Sequence, residues 1–286
     1  MLVRLRAIAH HLAPSHQPIR VATRSMASYV VHNDNAACCS IPPVKSDYTP
    51  KGTYKSYAGF NKVYVTGPDL PTDISLVCVF DIFGFKPQTQ QGADILADKL
   101  HAHVVMPDFF EPADPWPAEH FPPKTHEEKA RLQAFFGGPA KPQDAVEKLV
   151  RIGRALKEDG AQFIGTFGFC WGGKVTILAG SVEHTPFGAV AATHPAMLTH
   201  HDAVHLKVPL GIYPSHDEPM EEYHKIVEIV SRKPWHEKND HKFYDSFHGF
   251  AAARANLEDA KQRKDFEDLY GRLIMFFGKA SGLHKH

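Results

Sequence analysis

Short apolar runs alternate with amphipathic helical patterns along most of this chain, and that rhythm limits the folds open to it more than any other feature. Val63–Thr66, Ser75–Phe80, Val104–Met106, Gln162–Phe169, Gly188–Thr193, Val208–Tyr213 and His241–Tyr244 read as strands. Between and after them, Gly92–His101, Asp144–Glu158, Lys174–Ala179, Glu221–Val230 and Leu257–Phe277 read as helices. Ser75–Phe80 is apolar at nearly every position, as a strand covered on both faces must be. In the helix expected at Asp144–Glu158, Val146, Leu149, Val150, Ile152 and Leu156 make one stripe, with Asp144 as a cap and Gly160 as a stop. Strands and helices in this order imply βαβ units, a mostly parallel central sheet and helices on both faces. Such sheets bind ligands beyond the carboxyl ends of their strands.

Phe109 to Pro142 interrupts the rhythm. It is rich in proline and aromatic residues and contains Gly137-Gly138. A long irregular stretch with so many rings reads as a packed cap beside the strand ends, walling a pocket. Residues 46–286 therefore read as one α/β domain. Residues 1–45 read as an extension: Arg4, Arg6, Arg20 and Arg24 precede the first acid, Asp34, in a loosely amphipathic pattern. That is the character of a mitochondrial transit peptide, and the alternative is a leader ahead of a start at Met26, so the expected location is cytoplasmic or mitochondrial.

Composition excludes several functions. Lys and Arg number 32, as do Asp and Glu, so no global field draws nucleic acid or an anionic membrane. No apolar run is long enough to span a bilayer. Four cysteines in 286 residues do not make a disulfide framework and leave a thiol for chemistry. No G-x-G-x-x-G is present and no cofactor is expected. His194, His200, His201 and His205 lack the helical spacing of a metal site, and Cys38-Cys39 lacks the paired spacing of a zinc site.

The chemistry concentrates in Gly168-Phe169-Cys170-Trp171-Gly172-Gly173-Lys174, where an apolar strand gives way to a helix. Gly168-x-Cys170-x-Gly172 has the spacing of a nucleophile elbow with Cys for Ser, a turn so sharp that its flanks demand glycine. A thiol there meets the positive end of the helix, which favours thiolate and later an oxyanion. The same stretch fails as a phosphate-binding loop, because Val175 stands where a hydroxyl must hold magnesium. A cysteine nucleophile needs a histidine base and an acid to orient it, in the chain order nucleophile, acid, histidine. His248 follows the last expected strand and Asp217 the one before, so both fall on the rim that carries Cys170. Asp202, Asp245 and Glu218 are rival acids, and Glu218 is the nearest rival.

These motifs resemble the dienelactone hydrolase family over roughly Lys51 to Phe277. The resemblance is carried by Asp81-Ile82-Phe83-Gly84, Met106-Pro107-Asp108-Phe109-Phe110, Gly168-Phe169-Cys170-Trp171-Gly172-Gly173, the Asp217 turn and Phe247-His248-Gly249-Phe250. It implies an α/β-hydrolase fold, a Cys170–His248–Asp217 triad and an oxyanion hole made by the amides of Ile82 and Trp171. The family carries Glu where this chain has Asp81, in the role of acceptor for the thiol proton. It also carries an Arg that grips the substrate carboxylate just after the catalytic His, and the nearest here is Arg254. The expected function is hydrolysis of a small ester or lactone through an acyl-thioester, by a monomer or homodimer. The alternatives are an idle scaffold that binds a small hydrophobic ligand and a redox-sensing thiol protein, the latter disfavoured because no resolving Cys is near in sequence.

Overall fold

A computed structural model describes residues 44–283; the expectations for the arginine-rich leader, Met26 and Cys38-Cys39 lie outside them. Among the described residues, eight strands form one sheet in the order β1-β2-β4-β3-β5-β6-β7-β8. They are β1 Thr53–Tyr57, β2 Phe60–Thr66, β3 Ile74–Val79, β4 His103–Pro107, β5 Phe163–Phe169, β6 Ala189–Thr193, β7 Leu210–Tyr213 and β8 Asp240–His241. β1 and β2 join antiparallel at one edge, and β3 through β8 run parallel. The helices are α1 Pro87–Leu100, α2 His126–Gly137, α3 Pro142–Glu158, α4 Trp171–Ser181, α5 His201–Val204, α6 Met220–Ser231 and α7 Ala260–Ser281. No helix among the described residues is long and apolar enough to cross a membrane.

The sequence of β5 explains how two helical layers meet one sheet. Successive side chains point to opposite faces. Phe167 packs on Phe277 and Phe169 on Tyr270, both from α7. On the other face, Gly168 lies directly under α4, against the carbonyl of Gly172. α1 packs with α7, and α3 with α4, so the pairs cover opposite faces. β3 is buried at all six positions, as its unbroken apolar run requires.

The cap expected at Phe109–Pro142 contains a helix that its composition hides. Thr125 and Glu128 form a reciprocal capping box at the start of α2, and Leu132, Phe135 and Phe136 are its buried face. Prolines on both sides masked this short periodic stretch. α3 begins one turn earlier than its stripe suggests, with Pro142 at the first helical position rather than Asp144 at the cap. β1 is not among the strands expected from the sequence; its five residues are exposed or half-buried, the pattern of a polar edge strand. β8 is shorter than expected: beyond His241 the chain leaves the ladder and is held by single bonds from Lys242 N–H to the Ile212 carbonyl and Tyr244 N–H to the Pro214 carbonyl.

Candidate active site

Cys170 joins β5 to α4 with φ 55° and ψ −118°. A side chain at that φ is strained, and strain of this kind persists only where the surroundings enforce it. The enforcement is local. A Cβ on Gly168 would stand 2.2 Å from the Gly172 oxygen, and one on Gly172 would stand 2.1 Å from the Val79 oxygen. Only glycine lets the helix start this close to β3 and β5. Three backbone bonds fix the turn: Cys170 N–H donates to the Thr193 carbonyl (3.2 Å), and the Cys170 carbonyl accepts from Gly173 (3.1 Å) and Ala196 (2.9 Å). Gly172→Ala is therefore expected to lower unfolding stability by roughly 3 kcal/mol, because the obstructing atoms are backbone that cannot move aside. Urea unfolding of the two proteins measures this, and an unchanged midpoint would refute the close approach.

Cys170 is a buried thiol at the amino end of α4, in no disulfide. Its neighbour Trp171 turns its ring away into the cap. The Trp171 indole N–H donates to the Ala140 carbonyl at 2.6 Å, and the ring packs, tilted by 39°, against Phe110 at 4.9 Å. The other buried thiol, Cys78 on β3, is pushed well up in pKa by burial and then by the nearby Asp81 charge. Two chemically distinct thiols result: one at a helix terminus, one held protonated in the core.

His248 follows β8 on a loop packed under the rim. Its Nδ1–H donates to Oε1 of Glu218 at 2.5 Å, with both side chains fully buried. Asp217 does not take this position. Its carboxylate accepts the backbone N–H of His248 at 2.7 Å, and its other oxygen lies 3.4 Å from the exposed His216 ring. In this structure the imidazole pairs with Glu218, and Asp217, expected beside it, holds the backbone N–H of His248 instead. Neighbouring residues leave a tight turn in different directions, and the turn Ser215–Glu218 aims Glu218 inward. The second oxygen of Glu218 accepts the N–H of Ser215, which pins the carboxylate from behind. Asp202 is engaged by Lys174 at 2.5 Å, and the Asp245 side chain is 85% exposed, so neither reaches the ring.

Asp81 and Ile82 form the turn after β3. Asp81 is buried, with one oxygen accepting from Phe83 N–H at 2.9 Å and the other from Ala253 N–H at 3.3 Å. Burial raises its pKa, and the Phe83 amide and the Arg254 charge oppose the rise. The Ile82 carbonyl accepts from Trp116 N–H at 2.8 Å, so the cap fixes the peptide next to the turn. Arg254 is buried: its Nη1 donates to the His248 carbonyl at 3.2 Å, and its guanidinium lies 4.9 Å from the ring centre of Phe121 and 5.3 Å from that of Phe83. Arg254 thereby links the His248 loop to the cap.

The sequence offers His194 no role beyond a metal site that its spacing does not support. The structure separates it from His200, which pairs with Glu222 at 2.8 Å, and sets it 5.0 Å from the His248 ring. Its place at the carboxyl end of β6 was the available signal. Among the described residues no three His, Cys, Asp or Glu side chains gather to hold a metal.

A mostly parallel sheet with a strained Cys at the β5–α4 turn and a carboxylate-bound His after the last strand defines an α/β-hydrolase fold. The dienelactone hydrolase family model matches residues 62–281, and the chain belongs to that family. An uncharacterized AIM2 family protein of Schizosaccharomyces pombe is 33% identical over 249 residues, covering 85% of this chain and 98% of its own. A carboxymethylenebutenolidase homologue of Xenopus tropicalis is 33% identical over 149 residues, covering 50% of this chain and 55% of its own. Among solved structures, a dienelactone hydrolase from Anabaena variabilis superposes with a TM-score of 0.53 at 12% identity, covering 80% of this chain and 99% of that one.

Proposed function

We propose that this protein hydrolyses a small carboxylic ester or lactone with Cys170 as nucleophile, His248 as base and Glu218 as the acid that orients the base. The observation that carries the reading is the buried Glu218–His248 bond on the rim that also bears a strained, helix-capping Cys170. With Nδ1–H committed to Glu218, the neutral imidazole keeps its lone pair on Nε2, the form a general base needs.

In the reaction, His248 takes the Cys170 proton and the thiolate attacks the carbonyl carbon. The oxyanion is stabilised by the amides of Ile82 and Trp171 and by the positive end of α4. The C–O bond breaks as the imidazolium returns its proton to the leaving alkoxide; in a lactone that alkoxide stays tethered to the acyl group. Water, deprotonated by His248, then attacks the thioester and releases the acid and the thiolate. Asp81, with both oxygens tied to backbone amides, contributes a fixed carboxyl beside the oxyanion turn rather than a swinging proton carrier. Arg254, clamped between aromatic rings and bonded to the His248 loop, acts first as a brace and presents its positive charge toward an acyl carboxylate only secondarily.

Iodoacetamide labelling tests the reading. One equivalent should modify Cys170, leave Cys78 untouched and abolish turnover of p-nitrophenyl acetate. Turnover that survives complete labelling of Cys170 refutes a thiol mechanism. Among lactones, thioesters and aryl esters, product analysis then ranks the substrate class.

A further inference from the structure

The ring behind the base is itself an imidazole. His194 is fully buried between Phe169 (5.8 Å), Phe250 (5.5 Å) and His248 (5.0 Å, planes 61° apart). Neither of its ring nitrogens has a hydrogen-bond partner among the described residues. Its backbone N–H donates to the Tyr213 carbonyl at 2.8 Å.

That arrangement is costly. A buried polar group without a partner forfeits its hydration, and an apolar side chain would fill the same space without that loss. Keeping nitrogen there makes sense if its dipole is used. We propose that His194 is a positioning residue for His248: a fixed neutral imidazole whose dipole stabilises the imidazolium that His248 becomes when it takes the Cys170 proton. This rests on the Cys170–His248 reading above.

The charges around the pair support the division of labour. His248 has the Glu218 carboxylate on Nδ1 and the Asp217 carboxylate on its amide. Arg254, bonded to the His248 carbonyl, is the other cation near His194, and Asp81 lies within the field of both Arg254 and His248. From β5, β7 and the loop after His248, His194 meets Phe169, the Tyr213 carbonyl and Phe250. Among the described residues no carboxylate is hydrogen-bonded to the His194 ring. Burial, followed by the His248 and Arg254 charges, keeps it neutral. Two imidazoles this close do not both hold a proton, and the carboxylate gives that proton to His248. A preorganised dipole needs no rearrangement when the charge appears.

The test uses the full-length protein with His194→Phe and His194→Gln. The Phe variant should unfold at the same or higher urea concentration than wild type. It should also alkylate with iodoacetamide about threefold more slowly at neutral pH, with the alkylation midpoint moved up by roughly half a pH unit and kcat lowered more than KM. The Gln variant, which restores a neutral dipole, should recover most of the rate. A Phe variant with the wild-type alkylation profile and kcat overturns the proposal, as does a Gln variant no better than Phe. If the Phe variant does not fold, His194→Leu is judged by the same two measurements. Nitrogen-15 shifts of the wild-type imidazoles give an independent readout, and a protonated His194 at pH 6 also overturns it. Alkylation reads the thiol without turnover. A wild-type protein lacking thiol-dependent esterase activity would refute the hydrolytic reading, while an unchanged alkylation profile would refute the role of His194 alone.

Discussion

Cys170→Ala is expected to reduce ester turnover by about 10⁴-fold or more while the protein remains folded, because nucleophile and base act as a unit. What survives would be the remnant left by the oxyanion amides and by binding. Cys170→Ser should fall nearly as far. Its hydroxyl resists deprotonation far more than a thiol does, and His248, the base assigned to take that proton, is suited to a thiol. The backbone supplies a control with the opposite sign. Cys170 holds φ 55° only because Gly168, Gly172 and the bonds to Thr193, Gly173 and Ala196 impose it. Cys170→Gly releases that strain and should stabilise the fold by about 1 kcal/mol while being inactive. Activity assays with urea unfolding of the three variants decide the matter. An Ala variant that keeps a tenth of wild-type turnover would exclude Cys170 as nucleophile. A Gly variant less stable than wild type would mean the turn is not strained.

The parts of this site that were legible in the sequence are those dictated by backbone sterics. Gly168 and Gly172 announce a turn too tight for any other residue, and an apolar strand before it with a helix after it fixes where the turn sits in a parallel sheet. The alternation of strands and helices likewise gave the layers, because a sheet covered on both faces demands unbroken apolar strands such as β3. Illegible features depend on where a side chain points after an irregular turn. Asp217 and Glu218 are adjacent acids, and no periodicity exists in Ser215–Glu218 to show which faces inward. Residues whose partner is remote in sequence were hidden too: Trp116 bonded to Ile82, Phe121 against Arg254, and His194 against His248. α2 was masked because its apolar face is narrow and prolines surround it.

The direction taken by those two acids leads to a paired expectation. Glu218→Gln is expected to lower kcat by about 10³-fold, the scale of losing the group that fixes a catalytic imidazole's tautomer. A Gln side chain can still sit 2.5–3 Å from Nδ1, the range of a hydrogen bond, but its amide can offer N–H there and so stabilise the tautomer protonated on Nε2, which is useless as a base. It also removes the negative charge that favours the imidazolium. Asp217→Asn removes a charge too, yet its carbonyl oxygen can still accept the His248 N–H, so the loop keeps its anchor. A loss of about tenfold or less is expected there, since a partly exposed charge is screened by solvent. Asp217→Ala, which also removes the acceptor, should cost stability through the loosened loop by about 1 kcal/mol, with KM moving more than the pH profile. Measuring kcat against pH for the Gln and Asn variants separates the two acids. Should Asp217→Asn prove the more damaging and Glu218→Gln nearly silent, the acid of the triad is Asp217, and the Glu218–His248 bond only holds the loop in its resting form.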